Sequence, residues 1–143
     1  MRESERTEEI LRFARDIRAS WGNDPIKIAE ICGINVFESE YGKTSDSSTI
    51  CLDGYPTIIS LYGCRNQTIR RVLCAHELGY ALLHDNMTVN RFNGTIKGIQ
   101  NRCEYEANLF AVALLFDEDD LNEPLCKMDN WTLKILLDYN LEK

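Results

Sequence analysis

Thirteen residues, Val72-Leu73-Cys74-Ala75-His76-Glu77-Leu78-Gly79-Tyr80-Ala81-Leu82-Leu83-His84, constrain this chain more than any other stretch. On an α-helix, residues four apart project from the same face, about one turn along. His76 and position 80 therefore look in one direction. In the motif H-E-x-x-H both positions are His and hold a zinc ion, while the Glu acts as general base on the bound water. Here His76 and Glu77 stand in their places, and Tyr80 occupies the position of the second His.

A zinc site also needs a third protein ligand, usually carried by another element. The segment Glu104-Tyr105-Glu106-Ala107-Asn108-Leu109-Phe110-Ala111 offers one. Glu104 and Asn108 share a helix face by their i, i+4 spacing, so Glu104 can coordinate and Asn108 can accept the spare N–H of His76. Metal-bound His normally donates that hydrogen to such a group. On the same pattern Glu106 points away, toward solvent. His84 lies about 12 Å along the axis from His76, too far to share one ion. Cys103 is rotated by about 100° from Glu104 and is a poor substitute.

The rest of the chain reads in order as follows. Arg2 to Ser20 is an amphipathic helix with the stripe Ile10, Phe13, Ala14 and Ile17. Asp24-Pro25 supplies a cap and a first-turn proline for a short helix through Ile31, and Gly33 suits its left-handed end. Ile34 to Glu38 alternates apolar and polar residues, as in a strand with one buried face. Ser39 to Ser48 is polar and reads as a loop or exposed hairpin. Thr49 to Leu52 and Thr57 to Tyr62 form an antiparallel hairpin around Asp53-Gly54-Tyr55-Pro56. Two or three short strands between residues 34 and 62 are therefore expected to pack on a helix from Gln67 to His84, capped by Asn66. Asp85 to Gly98 reads as a loop and Gln100 to Phe116 as a second long helix. Phe116 to Glu123 contains a short turn or helix that Pro124 stops. Asn130-Trp131-Thr132 caps a last helix through Leu137. No repeat or linker divides the chain, so residues 1–143 are read as a single domain.

Composition excludes several classes of function. The net charge of −7 opposes direct nucleic-acid binding, which depends on Lys and Arg at phosphates, and leaves room for a basic partner protein. The longest apolar run, Leu109 to Phe116, is eight residues, well short of the ~20 that span a bilayer. The charged start Met1-Arg2-Glu3-Ser4-Glu5-Arg6 does not resemble a secretory signal, so a cytoplasmic location is expected. In that setting the six cysteines are expected to be reduced, with Cys32, Cys51 and Cys74 acting as small core residues. The acidic run from Asp117 to Glu123 reads as a solvated face or a helix start.

With these segments in place, the chain resembles the ImmA/IrrE metallopeptidases. The residues that carry the resemblance are Arg71 to Gly79, the ending Leu82-Leu83-His84, and Glu104-x-x-Ala107-Asn108-x-Phe110-Ala111-x-x-Leu114-Leu115. The order of elements before the motif is also similar, and the likeness covers about residues 8 to 122. It implies an α+β class, a minimal zincin-like fold: a small, mostly antiparallel sheet packed on the motif helix, otherwise helical. It also implies a zinc cofactor held by His76 and Glu104, with Glu77 as general base and a protein substrate such as a DNA-binding repressor of the helix-turn-helix type. Phe116-Asp117 stands where the family often has Met-Pro.

Tyr80 leaves three accounts open. It can be a phenolate ligand, which its reach and a free pKa of about 10 oppose. It can fill the space of a lost metal. Or the metal can bind weakly through His76, Glu104 and waters. Two functions follow: a zinc metallopeptidase acting on a cytosolic regulator, or a pseudo-peptidase module that binds such a partner without cutting it.

Overall fold

Two side-chain caps set the helix starts that frame the site. Asp24 accepts from the Ile26 N–H at 3.1 Å and opens helix α2, Pro25–Ile31. Asn66 accepts from the Ile69 N–H at 2.9 Å and opens helix α3, Gln67–Leu83, which carries the motif. Each cap satisfies a backbone donor that has no partner inside its helix. The computed structural model describes residues 2–39, 46–64, 66–84, 89–90 and 97–141, the side chains at 89–90, 97–101 and 139–141 excepted.

Helix α1, Glu3–Trp21, precedes α2, and strand β1, Asn35–Ser39, follows it. Gly33 has φ 77° between them, where the chain leaves α2 with Ile34 N–H bonded to Ala29 O at 2.9 Å. That left-handed conformation disfavours any residue with a Cβ. Strand β2, Asp46–Ile50, and strand β3, Ile58–Tyr62, form the expected antiparallel hairpin. Its turn closes with Tyr55 N–H on Leu52 O at 3.0 Å and Gly54 at φ 82°, the position where a type II turn requires a positive φ.

The sheet runs in the order β1-β3-β2-β4, where β4 is the two-residue strand Val89–Asn90. β1 pairs parallel to β3, while β2 pairs antiparallel to both β3 and β4. The fold is thus α+β, with a small mixed sheet in which the antiparallel pairings predominate. Helix α4, Lys97–Leu115, and helix α5, Asn130–Leu141, pack with α3, as do α2 and the β2–β3 hairpin. Short 3-10 turns at Glu118–Asp120 and Leu125–Lys127 connect α4 to α5.

The core runs from Ile10, Leu11 and Ala14 of α1 through Leu78 of α3 to Ile59 and Leu61 of β3. Along α4 every residue from Ala107 to Leu114 is buried, so this helix is apolar nearly all round because neighbours cover every side of it. Gly79 lets α3 and α4 approach closely. A Cβ there would stand 2.9 Å from Phe110 Cδ1 and 3.1 Å from Ala107 O.

Several boundaries differ from the sequence reading. Of the loop or exposed hairpin expected at 39–48, residues 46–48 are hairpin strand, because their backbone pairs with Ser60–Tyr62 despite their polar side chains. Within 85–98 lie β4 and the first residues of α4; positions 85–88 and 91–96, and 40–45 of the expected loop, lie outside the described residues. Phe37 falls on the uncovered face of β1 and is 59% exposed, and the alternation breaks at Glu38, which is exposed as well. The cap of α5 is Asp129, which accepts from Thr132 N–H at 2.8 Å, so Asn130 is released from that role. Cys74 is a core residue, Cys51 is partly covered and Cys32 is exposed. None of the six cysteines is joined in a disulfide. Within the acidic run, Glu118 takes two hydrogen bonds from Arg15, at 2.6 and 2.7 Å.

Candidate functional site

A cleft of about 670 Å³ opens between β2, α3, α4 and α5, and His76, Glu77, Glu104 and Asn108 all line it. His76 reaches it from α3 with Nδ1 2.8 Å from Asn108 Oδ1 on α4. Its Nε2 faces two carboxylates, Glu104 Oε2 at 3.6 Å and Glu77 Oε2 at 4.0 Å. Both separations exceed hydrogen-bond range, so Nε2 faces the carboxylates across a gap.

Glu77 is only 2% exposed, a costly place for a carboxylate without donors. Strand β2 supplies them. Ser47 Oγ donates to Oε2 and Thr49 Oγ1 to Oε1, each at 2.7 Å. Residues two apart on a strand share a face, so a single strand edge presents both hydroxyls. Glu104 is different: its side chain is 40% exposed and stands at the open side of the cleft. Helix α5 adds Lys134, Leu137 and Asp138 to the lining.

Tyr80 shares the helix face of His76 but is 4% exposed and clusters with Cys103 and Ala107. Its hydroxyl donates to the Cys103 sulfur, and the His84 ring meets it edge-on at 5.2 Å. Burial first, and then Cys103 with the acidic side chains nearby, pushes the phenol up to about 12. It stays protonated at neutral pH.

These donors test the fit of a zinc ion. Two ligands on one tetrahedral ion with ~2.0 Å bonds stand about 3.3 Å apart, close to the 3.6 Å between His76 Nε2 and Glu104 Oε2. Position 80 should supply the next donor, and it supplies a buried protonated phenol already engaged with sulfur. Among the described residues, no three His, Cys, Asp or Glu side chains are grouped to hold an ion. The set stops at two donors and does not complete a zinc site.

One sequence expectation is corrected here. Glu106 is not solvated; its side chain is 5% exposed, held by Arg6 at 3.1 and 3.2 Å, with His84 Nε2 lying 3.2 Å from it. Burial raises its pKa, but the hydrogen bonds from His84 and Arg6 outweigh that and bring it down to about 2. His84, too far along the helix to share an ion with His76, lies against this buried carboxylate instead.

Ser47, Thr49, Lys134 and Asp138 were missed as site residues. Ser47 and Thr49 carry a faint signal, alternate hydroxyls running into the apolar Ile50, which is obscured because Ser47 falls in the stretch that reads as a loop or exposed hairpin and only Thr49 in a strand. Asn130 was noticed only as a cap, yet its Oδ1 accepts from Asn108 Nδ2 at 2.8 Å.

No helix among the described residues is long and apolar enough to cross a membrane. No curated protein and no solved structure matches the chain. The profile of the peptidase M78 family, described as the IrrE N-terminal-like domain, does match, over residues 29–140. That span takes in the sheet, the motif helix, Glu104 and the α5 wall of the cleft. The match covers most of the chain, which therefore belongs to the ImmA/IrrE family of metallopeptidases.

Proposed function

We propose that this chain is a metallopeptidase-fold protein whose zinc binding has been weakened or lost through Tyr80, and whose cleft engages a segment of a cytosolic regulator such as a helix-turn-helix repressor. The observation that carries the reading is the phenol at position 80, buried, protonated and bonded to Cys103. It cannot take over the lone pair of a neutral imidazole. The family is of the zinc metallopeptidase type, so the change falls on the chemistry that defines it.

The other parts of the cleft are retained. Glu77 is held by two hydroxyls, His76 by an amide, and the opening is large enough for side chains of a bound polypeptide. Four of the residues lining it, Asp46, Glu77, Glu104 and Asp138, are acidic against one Lys, which favours a basic segment. Partner binding without cleavage is the function this arrangement supports best.

The decisive measurement is zinc content in the purified chain and in Tyr80→His, beside a binding and cleavage assay on a candidate repressor. The unmodified chain should carry well under one zinc and bind without cutting. Tyr80→His should approach one zinc per chain, because His76 and Glu104 already stand at a suitable separation. Full occupancy in the unmodified chain, with chelator-sensitive cleavage, would overturn the proposal.

A further inference from the structure

The polar chain that begins at His76 passes through Asn108 and reaches a third helix. His76 Nδ1 lies 2.8 Å from Asn108 Oδ1, and Asn108 Nδ2 donates to Asn130 Oδ1 at 2.8 Å. One side-chain amide thus links α3, α4 and α5. Asn108 is 3% exposed, so water offers it few other partners.

An amide presents an acceptor on one side and a donor on the other. Turning Asn108 over would set its NH2 against the imidazole and its oxygen against the oxygen of Asn130. Two acceptors facing each other leave the buried oxygen of Asn108 without a donor. The ring has the opposite temptation. The carboxylates of Glu104 and Glu77, at 3.6 and 4.0 Å, attract a proton on Nε2. Neither is within hydrogen-bond range, whereas the contact to Asn108 is.

We propose that Asn130 is a positioning residue. By accepting from Asn108 it holds that amide with its oxygen toward His76, which places the imidazole proton on Nδ1 and keeps the Nε2 lone pair directed into the cleft. The proposal deepens the reading of this cleft as the binding site and rests on it. Whatever meets His76 there, a backbone N–H, a Lys of a bound segment or a metal ion, then meets an acceptor. Without Asn130 the amide is free to turn, and the proton can shift to Nε2 and toward Glu104.

The test is the tautomer of the neutral His76 ring, read from the ¹⁵N shifts of its two nitrogens in histidine-labelled protein with chelator present. His76→Gln assigns the signals, and the His84 signals serve as an internal control for folding. The unmodified chain should show a protonated Nδ1 and an unprotonated Nε2. Asn130→Ala should raise the Nε2–H population several-fold while leaving the His84 signals in place. Asn130→Asp, which keeps an accepting oxygen, should retain the original pattern. In an Asn108→Asp background, where both oxygens accept, Asn130→Ala should have no effect on the tautomer. If Asn130→Ala does not fold, Asn130→Ser, whose oxygen is one bond shorter, takes its place. An Nε2–H ring in the unmodified chain, or a tautomer indifferent to residue 130, would overturn the proposal. Zinc content does not enter this readout, so its failure is separable from failure of the functional reading above.

Discussion

His76 in the second half of α3 and His84, the residue that caps its end, each face a glutamate of α4. At one end His76 faces Glu104, 40% exposed, across 3.6 Å. At the other, His84 faces Glu106, 5% exposed, at 3.2 Å, with Arg6 bound to the same carboxylate through two hydrogen bonds. Residue types and spacing are nearly the same; the neighbours differ. A buried carboxylate gripped by the Arg6 guanidinium of α1 and covered by His84 is a structural tie, and one left half-open beside a single imidazole is available to a ligand. His–Glu proximity alone does not mark a functional site. The unsatisfied capacity of the pair does.

Removing Glu106 should separate the two ends most widely. Glu106→Ala strands Arg6 and His84 in a largely buried setting, where breaking such a pair typically costs about 3–5 kcal/mol. A denaturant midpoint should report about 3 kcal/mol, since Arg6 is partly open to water. A cost below about 1 kcal/mol would mean that the tie is not one.

Acid should act next. Glu106 is ordinarily near 4.5 and is brought down to about 2 in the fold. A lowered carboxylate contributes stability that is complete above the unfolded value and is lost as pH falls through the folded one. Stability should therefore decline between about pH 4.5 and 2, by on the order of 2 kcal/mol after discounting for solvent at Arg6. Glu118, also lowered by its hydrogen bond from Arg15, titrates in the same direction. The informative comparison is Glu106→Gln, whose profile should be flatter by the Glu106 share.

Glu104→Gln should do least to the fold, below about 0.5 kcal/mol, as for an ordinary exposed position. Its effect should appear elsewhere: introduced into Tyr80→His, it should lower zinc content several-fold. If the stability cost instead matched that of Glu106→Ala, the contrast between the two ends would collapse.

Much of the architecture is written in local chemistry that a sequence displays. Asp24-Pro25, Gly33, Asp53-Gly54 and Asn66 each punctuate the backbone by a short-range mechanism, and each does so in the structure. The parallel pairing of β1 with β3 is different. It joins residues more than twenty positions apart and has no local signal, so nothing in Asn35–Ser39 announces its partner. The site shows the same division. His76, Glu77, Glu104 and Asn108 follow from helical spacing, and the structure brings them to one cleft. Ser47, Thr49 and Asn130 enter from separate elements, and helical spacing says nothing about which strand or helix end will arrive. Glu106 was misread for a related reason: burial by α1 is imposed by Arg6, a hundred residues away.

The hydroxyl pair on β2 also bears on how the sheet finds its alignment during folding. Strand side chains alternate faces, so a slip of β2 by one residue would turn Ser47 and Thr49 away from α3. In their place would come the face that carries Asp46, Ser48 and Ile50, with a carboxylate and an aliphatic chain among the groups offered to Glu77. The helix would then enclose a charge with one hydroxyl where it now has two and with a second carboxylate beside it, an unfavourable exchange for a buried carboxylate. The register seen in the sheet is thus the one that sets both hydroxyls, Ser47 and Thr49, on the Glu77 carboxylate.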